Sequence, residues 1–177
     1  YGIPISDVVQ IISMQEITPL PDFPNYAKGV INLRGNIIPV IDMRIRLKKP
    51  EVQYTDNTCI IVTNIQDTYM GFIVDTVDQV TTIDPEDITP APRVSKEVTN
   101  HYLTGIGQVN DKVVLILDLS KILTESEFKQ VTETALQEEK DDSENWNSGR
   151  GVLRIMNNKK NKREIKKFLF FGILLVV

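Results

Sequence analysis

The 177-residue chain has one cysteine, one histidine and one tryptophan. A single cysteine, Cys59, excludes an internal disulfide and any zinc site built from several thiolates, and it suits a reducing compartment. It lies in the strand-like run TCIIVTN, where a buried, inert thiol is the ordinary reading. The serines have no triad partner other than His101 and no nucleophile-elbow glycines around them. Trp146 sits in a polar stretch and offers no base-stacking platform. Gly105-Ile106-Gly107 precedes a strand pattern rather than a helix, which excludes a dinucleotide loop. The acidic groups Asp75/Asp78 and Asp84/Glu86/Asp87 lack the spacing of a calcium loop and read as solvated turns. Long apolar runs are also scarce. The longest, Phe168–Val177, has ten residues, against the ~20 a spanning helix needs. No catalytic constellation is legible, and no cofactor or metal is expected.

Charge is present but unevenly placed. Tyr1–Gly149 carries 12 basic and 23 acidic residues, a formal net charge of −11, whereas Arg150–Lys167 holds eight basic residues and one acid. An acidic body argues against nucleic acid as a partner.

The chain is rich in repetition. Gly29–Leu47, GVINLRGNIIPVIDMRIRL, aligns without a gap on Gly105–Leu123, GIGQVNDKVVLILDLSKIL, so that Asp42 falls on Asp118 and Leu47 on Leu123. Tyr1–Ile11 aligns on Met70–Val80, and ITPLP at Ile17–Pro21 recurs as ITPAP at Ile88–Pro92. Two similar units predict a pseudo-twofold pair of small antiparallel barrels with a groove for a partner. Hairpin turns are expected at Arg34-Gly35, Ile65–Asp67 and Asn110-Asp111. Pro39 predicts an edge or bulge in its strand. Asp42 and Asp118 each precede a short helical pattern and are read as caps. The second unit has a strand, Thr58–Asn64, before its Met70-Gly71. Nothing stands before Tyr1, so the first barrel is expected to lack its opening strand and to show an unpaired edge.

The expected layout is an all-β domain over residues 1–137, with a first barrel at 1–57, a second at 58–123 and a helix at 124–137. Thr124 and Glu127 would form a capping box for that helix, with Phe128, Val131 and Ala135 on its apolar face. A polar linker (138–150) and a basic-then-apolar tail (151–177) follow. The apolar run reads as the first half of a membrane-spanning helix preceded by positive charge, or as a disordered tail. A chain opening on Tyr1 and closing inside that run reads as a segment of a longer one.

The hairpin GVINLRGNIIPVIDMR resembles the signature of the CheW family of chemotaxis coupling proteins. Supporting it are YGI at Tyr1, DNT at Asp56, GFIVDTVDQV at Gly71, ITPAP at Ile88 and YLTGIG at Tyr102. The resemblance covers Tyr1 to about Ala135. It implies two SH3-like β-barrels around a shared apolar core. It also implies a non-enzymatic, cytoplasmic adaptor that bridges the chemoreceptor tip to the regulatory domain of the histidine kinase CheA in receptor arrays. Asn32, Leu33, Arg34 and Gly35 match the family's NLRG loop, and Gly29 a nearby glycine, both linked to receptor coupling. Val8 matches an apolar position facing the kinase, and Gln10, placed on the same kinase-binding surface, stands where many relatives carry an acid. An arginine beside a tight turn can reach a carboxylate or carbonyl in a fork geometry that lysine does not copy. The alternative role for Arg34 is structural, pairing with Asp42 or Asp22. From Met156 the tail resembles the N-terminus of a membrane-anchored chemoreceptor, and any membrane contact would run through it. The alternative function is therefore a CheW-like module of a membrane-tethered or fused chemoreceptor, or of a CheV-type protein.

Overall fold

Turn chemistry sets the strands. In chain order they are β1 (Gly2–Pro4), β2 (Val8–Ser13), β3 (Ala27–Leu33), β4 (Asn36–Asp42), β5 (Cys59–Ile65), β6 (Thr68–Val74), β7 (Val77–Thr82), β8 (Thr89–Pro90), β9 (Leu103–Val109), β10 (Lys112–Leu117) and β11 (Gly172–Val176). A one-turn helix, α1 (Met43–Arg46), follows β4, and residues 125–135, the described part of a longer helix, α2, follow β10. The structure is a computed structural model that describes residues 1–91, 101–135 and 172–176. The expected linker at 138–150 and most of the tail lie outside the described residues.

Three hairpins turn on two residues each, both with positive φ: Arg34-Gly35 (55° and 88°), Gln66-Asp67 (52° and 62°) and Asn110-Asp111 (48° and 60°). They close on the pairs Leu33–Asn36, Ile65–Thr68 and Val109–Lys112. This mirror-image turn matches the natural twist of the strands it joins. The second turn is therefore one residue shorter than the expected Ile65–Asp67.

The strands form two sheets, ordered β2-β5-β6-β4-β3 and β7-β11-β1-β10-β9-β8. The sheets do not follow the expected division at residues 57/58. Strands β5 and β6 pair with β2 and β4 of the first unit, while β1 pairs in parallel with β10 of the second. Of the edge or bulge that Pro39 predicted, the edge is not found, since β4 is internal to its sheet, but the β3–β4 ladder shifts register between Ala27 and Gly29, one pair from Pro39. Val30, opposite Pro39, gives its own N–H and C=O to Thr18, and the ladder from β4 to β6 begins only at Val40. No ladder bond is therefore asked of the proline nitrogen.

The repeat reappears in the hydrogen bonds. Asp42 N–H donates to Tyr26 C=O at 2.7 Å, and Asp118 N–H to Tyr102 C=O at 2.7 Å. Asp42 caps α1 by accepting from Arg44 N–H (2.8 Å) and Ile45 N–H (3.2 Å), and Asp118 accepts from Ser120 N–H at 3.0 Å. Both aspartates are caps, as their position in the sequence suggested.

The end of the chain departs from expectation. In place of the start of a spanning helix, Gly172–Val176 form β11, inserted between β1 and β7. No helix among the described residues is long and apolar enough to cross a membrane. The register is Gly2–Leu175, Ile3–Leu174 and Pro4–Ile173 on one side, and Gly172–Thr82, Ile173–Thr81 and Leu174–Val80 on the other. Val176 N–H donates to the Tyr1 carbonyl at 2.9 Å, and the Tyr1 amine donates to the Val176 carbonyl at 2.9 Å. β11 thus stands between β1 and β7 as β5 stands between β6 and β2, and the edge expected to be unpaired is covered.

One apolar cluster lies between the sheets, around Ile3, Ile41, Phe72, Leu117, Leu119, Ile122, Val131 and Leu174. Two smaller clusters fill the individual sheets, one around Ile38, Val40 and Ile60, the other around Ile83, Val114, Ile116 and Ile173. Val131 and Ala135 of α2 are buried, as the helix pattern required. Thr63 is 1% exposed in this interior, and its hydroxyl has no hydrogen-bond partner among the described residues. Its counterpart in β11 is Val176. Replacing Thr63 with valine should stabilise the fold by about 1 kcal/mol, because an unpaired buried hydroxyl costs that much relative to a methyl. Chemical denaturation checks this, and a loss of stability would reveal a hidden partner for the hydroxyl.

Arg46 bolts the two units together. Its Nε donates to the Ile122 carbonyl at 2.6 Å, its two terminal nitrogens grip Glu127 at 3.2 and 3.0 Å, and its guanidinium lies 4.9 Å over the Tyr26 ring. Glu127 also accepts from Thr124 N–H at 2.7 Å, which completes the expected capping box. Burial pushes the Glu127 carboxyl up, but the Thr124 bonds, Arg46 and the Tyr26 hydroxyl outweigh it and hold it below its ordinary value. A depressed folded pKa contributes stability above the unfolded value of about 4.3. That contribution fades as pH falls through the lower folded value. Glu127→Gln should therefore cost about 1.5 kcal/mol at pH 7 and flatten the stability loss between about pH 5 and 3. Denaturant midpoints at several pH values check it, and an unchanged acid profile would remove Glu127 from the account.

Candidate functional site

The Leu33–Asn36 turn is braced from within. Gly35 N–H donates to Asn32 Oδ1 at 2.9 Å, and Asn36 Nδ2 donates to the Leu33 carbonyl at 3.3 Å. These bonds hold Arg34 at φ 55°, a left-handed conformation that a long side chain rarely adopts. Arg34 is exposed. Three arginines fall among the described residues. Arg44 grips Asp75, with Nε donating at 2.6 Å to one carboxylate oxygen, and Arg46 grips Glu127. Arg34 alone has no hydrogen bond or ion pair among the described residues.

The structural role for Arg34 does not hold. Asp42 is 3% exposed, and its oxygens are taken by the α1 N–H groups and by the Tyr54 hydroxyl at 2.9 Å. That tyrosine is held protonated well above its ordinary range, by burial first and then by donating to Asp42. No ion pair joins Arg34 to Asp22 either.

A groove of about 220 Å³ runs beside the turn, lined by Val9, Gln10, Leu33, Arg34, Asn36, Ile38, Val62 and Tyr69. It joins the turn to β2, an edge strand of its sheet. A bulge between Val8 and Gln10 leaves Val9 52% exposed, and Ile11 is also exposed. The resemblance implied a kinase-facing Gln10 and a receptor-facing Leu33 and Arg34; the fold places all three on one groove. Val8 is half-buried beside it and pairs with Thr63. Val9, Asn36 and Tyr69 were missed. Tyr69, a large aromatic left exposed next to a hairpin turn, was the readable signal.

Gly29 belongs to the support of the site. It is buried, with φ 139°, and a Cβ there would come within 2.1 Å of the Thr18 carbonyl oxygen. The bridge between Thr18 and Val30 leaves no room to give. Gly29→Ala should cost about 3 kcal/mol through strain and displaced backbone. Calorimetry checks this, and a change below about 1 kcal/mol would restore a surface role for the glycine.

Among the described residues, no group of three or more His, Cys, Asp or Glu is placed to hold a metal ion. His101 is exposed. An exposed, unpaired arginine at the mouth of a partly apolar groove is equipped to bind a macromolecule.

A family model described as the CheW-like domain matches residues 1–127. The chain is 36% identical over 135 residues to the chemotaxis protein CheW of Klebsiella aerogenes, spanning 76% of this chain and 81% of that protein. It is 36% identical over 123 residues to the chemotaxis protein CheW of Bacillus subtilis, spanning 70% and 79%. The crystal structure of the scaffolding protein TtCheW from Thermoanaerobacter tengcongensis superposes with a TM-score of 0.64 at 35% identity, covering 69% of this chain and 83% of that one. On the family match over residues 1–127 and relatives 36% identical over most of their length, the chain belongs to the CheW-like domain family.

Proposed function

We propose that this chain is a non-enzymatic chemotaxis adaptor that couples chemoreceptors to the histidine kinase CheA. It would act in the cytoplasm at receptor arrays, holding the receptor's cytoplasmic tip on one side and the kinase's regulatory domain on the other. The observation that carries the reading is Arg34, exposed, unpaired among the described residues and braced in a left-handed turn at the edge of a partly apolar groove. Left without an internal partner, the guanidinium is available to a carboxylate or to backbone carbonyls at the end of a receptor helix.

The proposed receptor contacts are Asn32, Leu33, Arg34 and Gly35, with Gly29 shaping the strand behind them. The proposed kinase contacts are Val8 and Gln10, with the bulged Val9 and exposed Ile11 on the same edge strand. Uncharged side chains on a strand that is an edge among the described residues suit a partner that packs against that edge. Because Gln10 and Arg34 line one groove, the two partners would meet there and share a boundary. The matching strand orders and repeated hydrogen bonds support reading the two sheets as pseudo-symmetric SH3-like barrels.

A pull-down tests the function. An immobilised receptor signalling fragment should retain CheA several-fold better when this chain is added than when it is omitted. Equal retention with and without the chain, or no binding of the chain to either partner, would sink the adaptor role.

A further inference from the structure

We propose that the groove between the Ile5–Asp7 turn and the end of β10 holds the ammonium group of a lysine from the partner that docks on β2, with Asp7 as its counter-ion. Five carboxylates among the described residues are wholly or partly buried: Asp7, Asp42, Asp75, Asp118 and Glu127. Four of them are well partnered. Arg44 grips Asp75, Arg46 grips Glu127, Lys121 lies 2.7 Å from Asp118, and Asp42 takes the Tyr54 hydroxyl and two α1 N–H groups. Asp7 has only the Ser6 hydroxyl, which donates at 3.1 Å. Burial pushes the Asp7 carboxyl up; the Ser6 bond opposes this, and the charge of Asp118 adds to it. A partly buried carboxylate with no cation beside it is costly, and a bound ammonium removes that cost.

The groove suits such a group. It encloses about 450 Å³, with Asp7, Ser6, Asp118, Ser120 and Thr104 among its polar lining. Ile65, Leu117 and Leu119 add apolar wall for the methylene stem of a lysine. Side chains alternate along β5, so Thr63 shares a face with Ile65 and turns into the same groove. Its hydroxyl is the buried side-chain polar atom left without a partner among the described residues. An ammonium carries three divergent donors and matches several single acceptors, whereas a guanidinium fork asks for one bidentate partner. Val9 lines both this groove and the one beside Arg34. A partner along β2 therefore meets an acid and a base on either side of Val9, which fixes its orientation.

The partner half of the inference rests on the adaptor reading, so two probes are used. The first is Nα-acetyl-lysine methylamide, titrated into the isotope-labelled full chain. Amides of Asp7, Asn64 and Ser120 should shift and saturate with a Kd on the order of 1 mM. The norleucine analogue, which lacks the ammonium, should leave them in place. Asp7→Asn, which keeps the shape of the side chain, should weaken binding about tenfold or more. Thr63→Val should weaken it about threefold while unfolding at higher denaturant. No saturation, an equal response to the norleucine analogue, or undiminished binding by either variant would overturn the site. The second probe is the regulatory domain of CheA, titrated by calorimetry. Asp7→Lys should lower its affinity about tenfold or more. Equal affinity for the parent and Asp7→Lys would overturn the assignment of the lysine to that partner. No kinase binding by the parent, with the lysine analogue still bound, would support the site and overturn the adaptor reading instead.

Discussion

Leu174→Asp should remove at least about 4 kcal/mol of stability and abolish a single cooperative unfolding transition. Leu174 is 1% exposed and packs in the cluster between the sheets. A carboxylate there would have to be buried without a partner or drive β11 out of its slot. Either outcome uncovers Ile3 and the other residues that Leu174 touches in that core. A loss of this size is a large part of the 5–15 kcal/mol that typically separates folded from unfolded domains. Val113→Asp is the matched control. Val113 is 72% exposed on β10, so the same substitution there should shift stability by less than about 0.5 kcal/mol. Urea denaturation of both variants checks the pair. Equal, small effects would mean that β11 does not stand in the sheet.

Arg34→Asn should separate folding from binding. Asparagine tolerates a left-handed conformation, and Asn-Gly is the preferred pair for this turn, so the variant should be about 0.5–1 kcal/mol more stable than the parent. That corresponds to a rise in Tm of about 2 °C. Receptor affinity should fall at least tenfold, or about 1.4 kcal/mol, because a charge-assisted bond contributes about 1.5–3 kcal/mol. Arg34→Lys should recover little of it, since a point charge does not reproduce the guanidinium fork. Calorimetry and receptor-fragment titration on the same preparations check the split. A variant that is both less stable and weaker in binding would point back to a structural arginine.

Much of this fold was legible because it is local. The Arg34-Gly35 and Asn110-Asp111 turns, the caps at Asp42 and Asp118, and the Thr124–Glu127 box all depend on residues within a few positions of one another. The strand pairings are not local. Nothing near Val8 says that β2 will lie against β5, so Gln10 and Arg34 read as two surfaces until the sheet joined them. Pro39 left edge and bulge open for the same reason, because its missing N–H matters only if a neighbour needs it, and Val30 is turned toward Thr18 beside the Ala27/Gly29 register shift. The apolar end of the chain was ambiguous in sequence. Ten residues are too few to span a bilayer, and the burial of Ile173, Leu174 and Val176 as a strand appears only once β1 and β7 flank them. The repeat did contain a clue, since β5 lies between β2 and β6 as β11 lies between β7 and β1.

The most direct measurement is chemical-shift mapping on the isotope-labelled chain, with a receptor signalling fragment and the CheA regulatory domain added separately. The receptor fragment should perturb Asn32–Asn36 and Tyr69, and the kinase domain should perturb Val8–Ile11, with the two sets meeting at the groove. Perturbations confined to other surfaces, or a groove that stays silent to both partners, would contradict an adaptor built on Arg34.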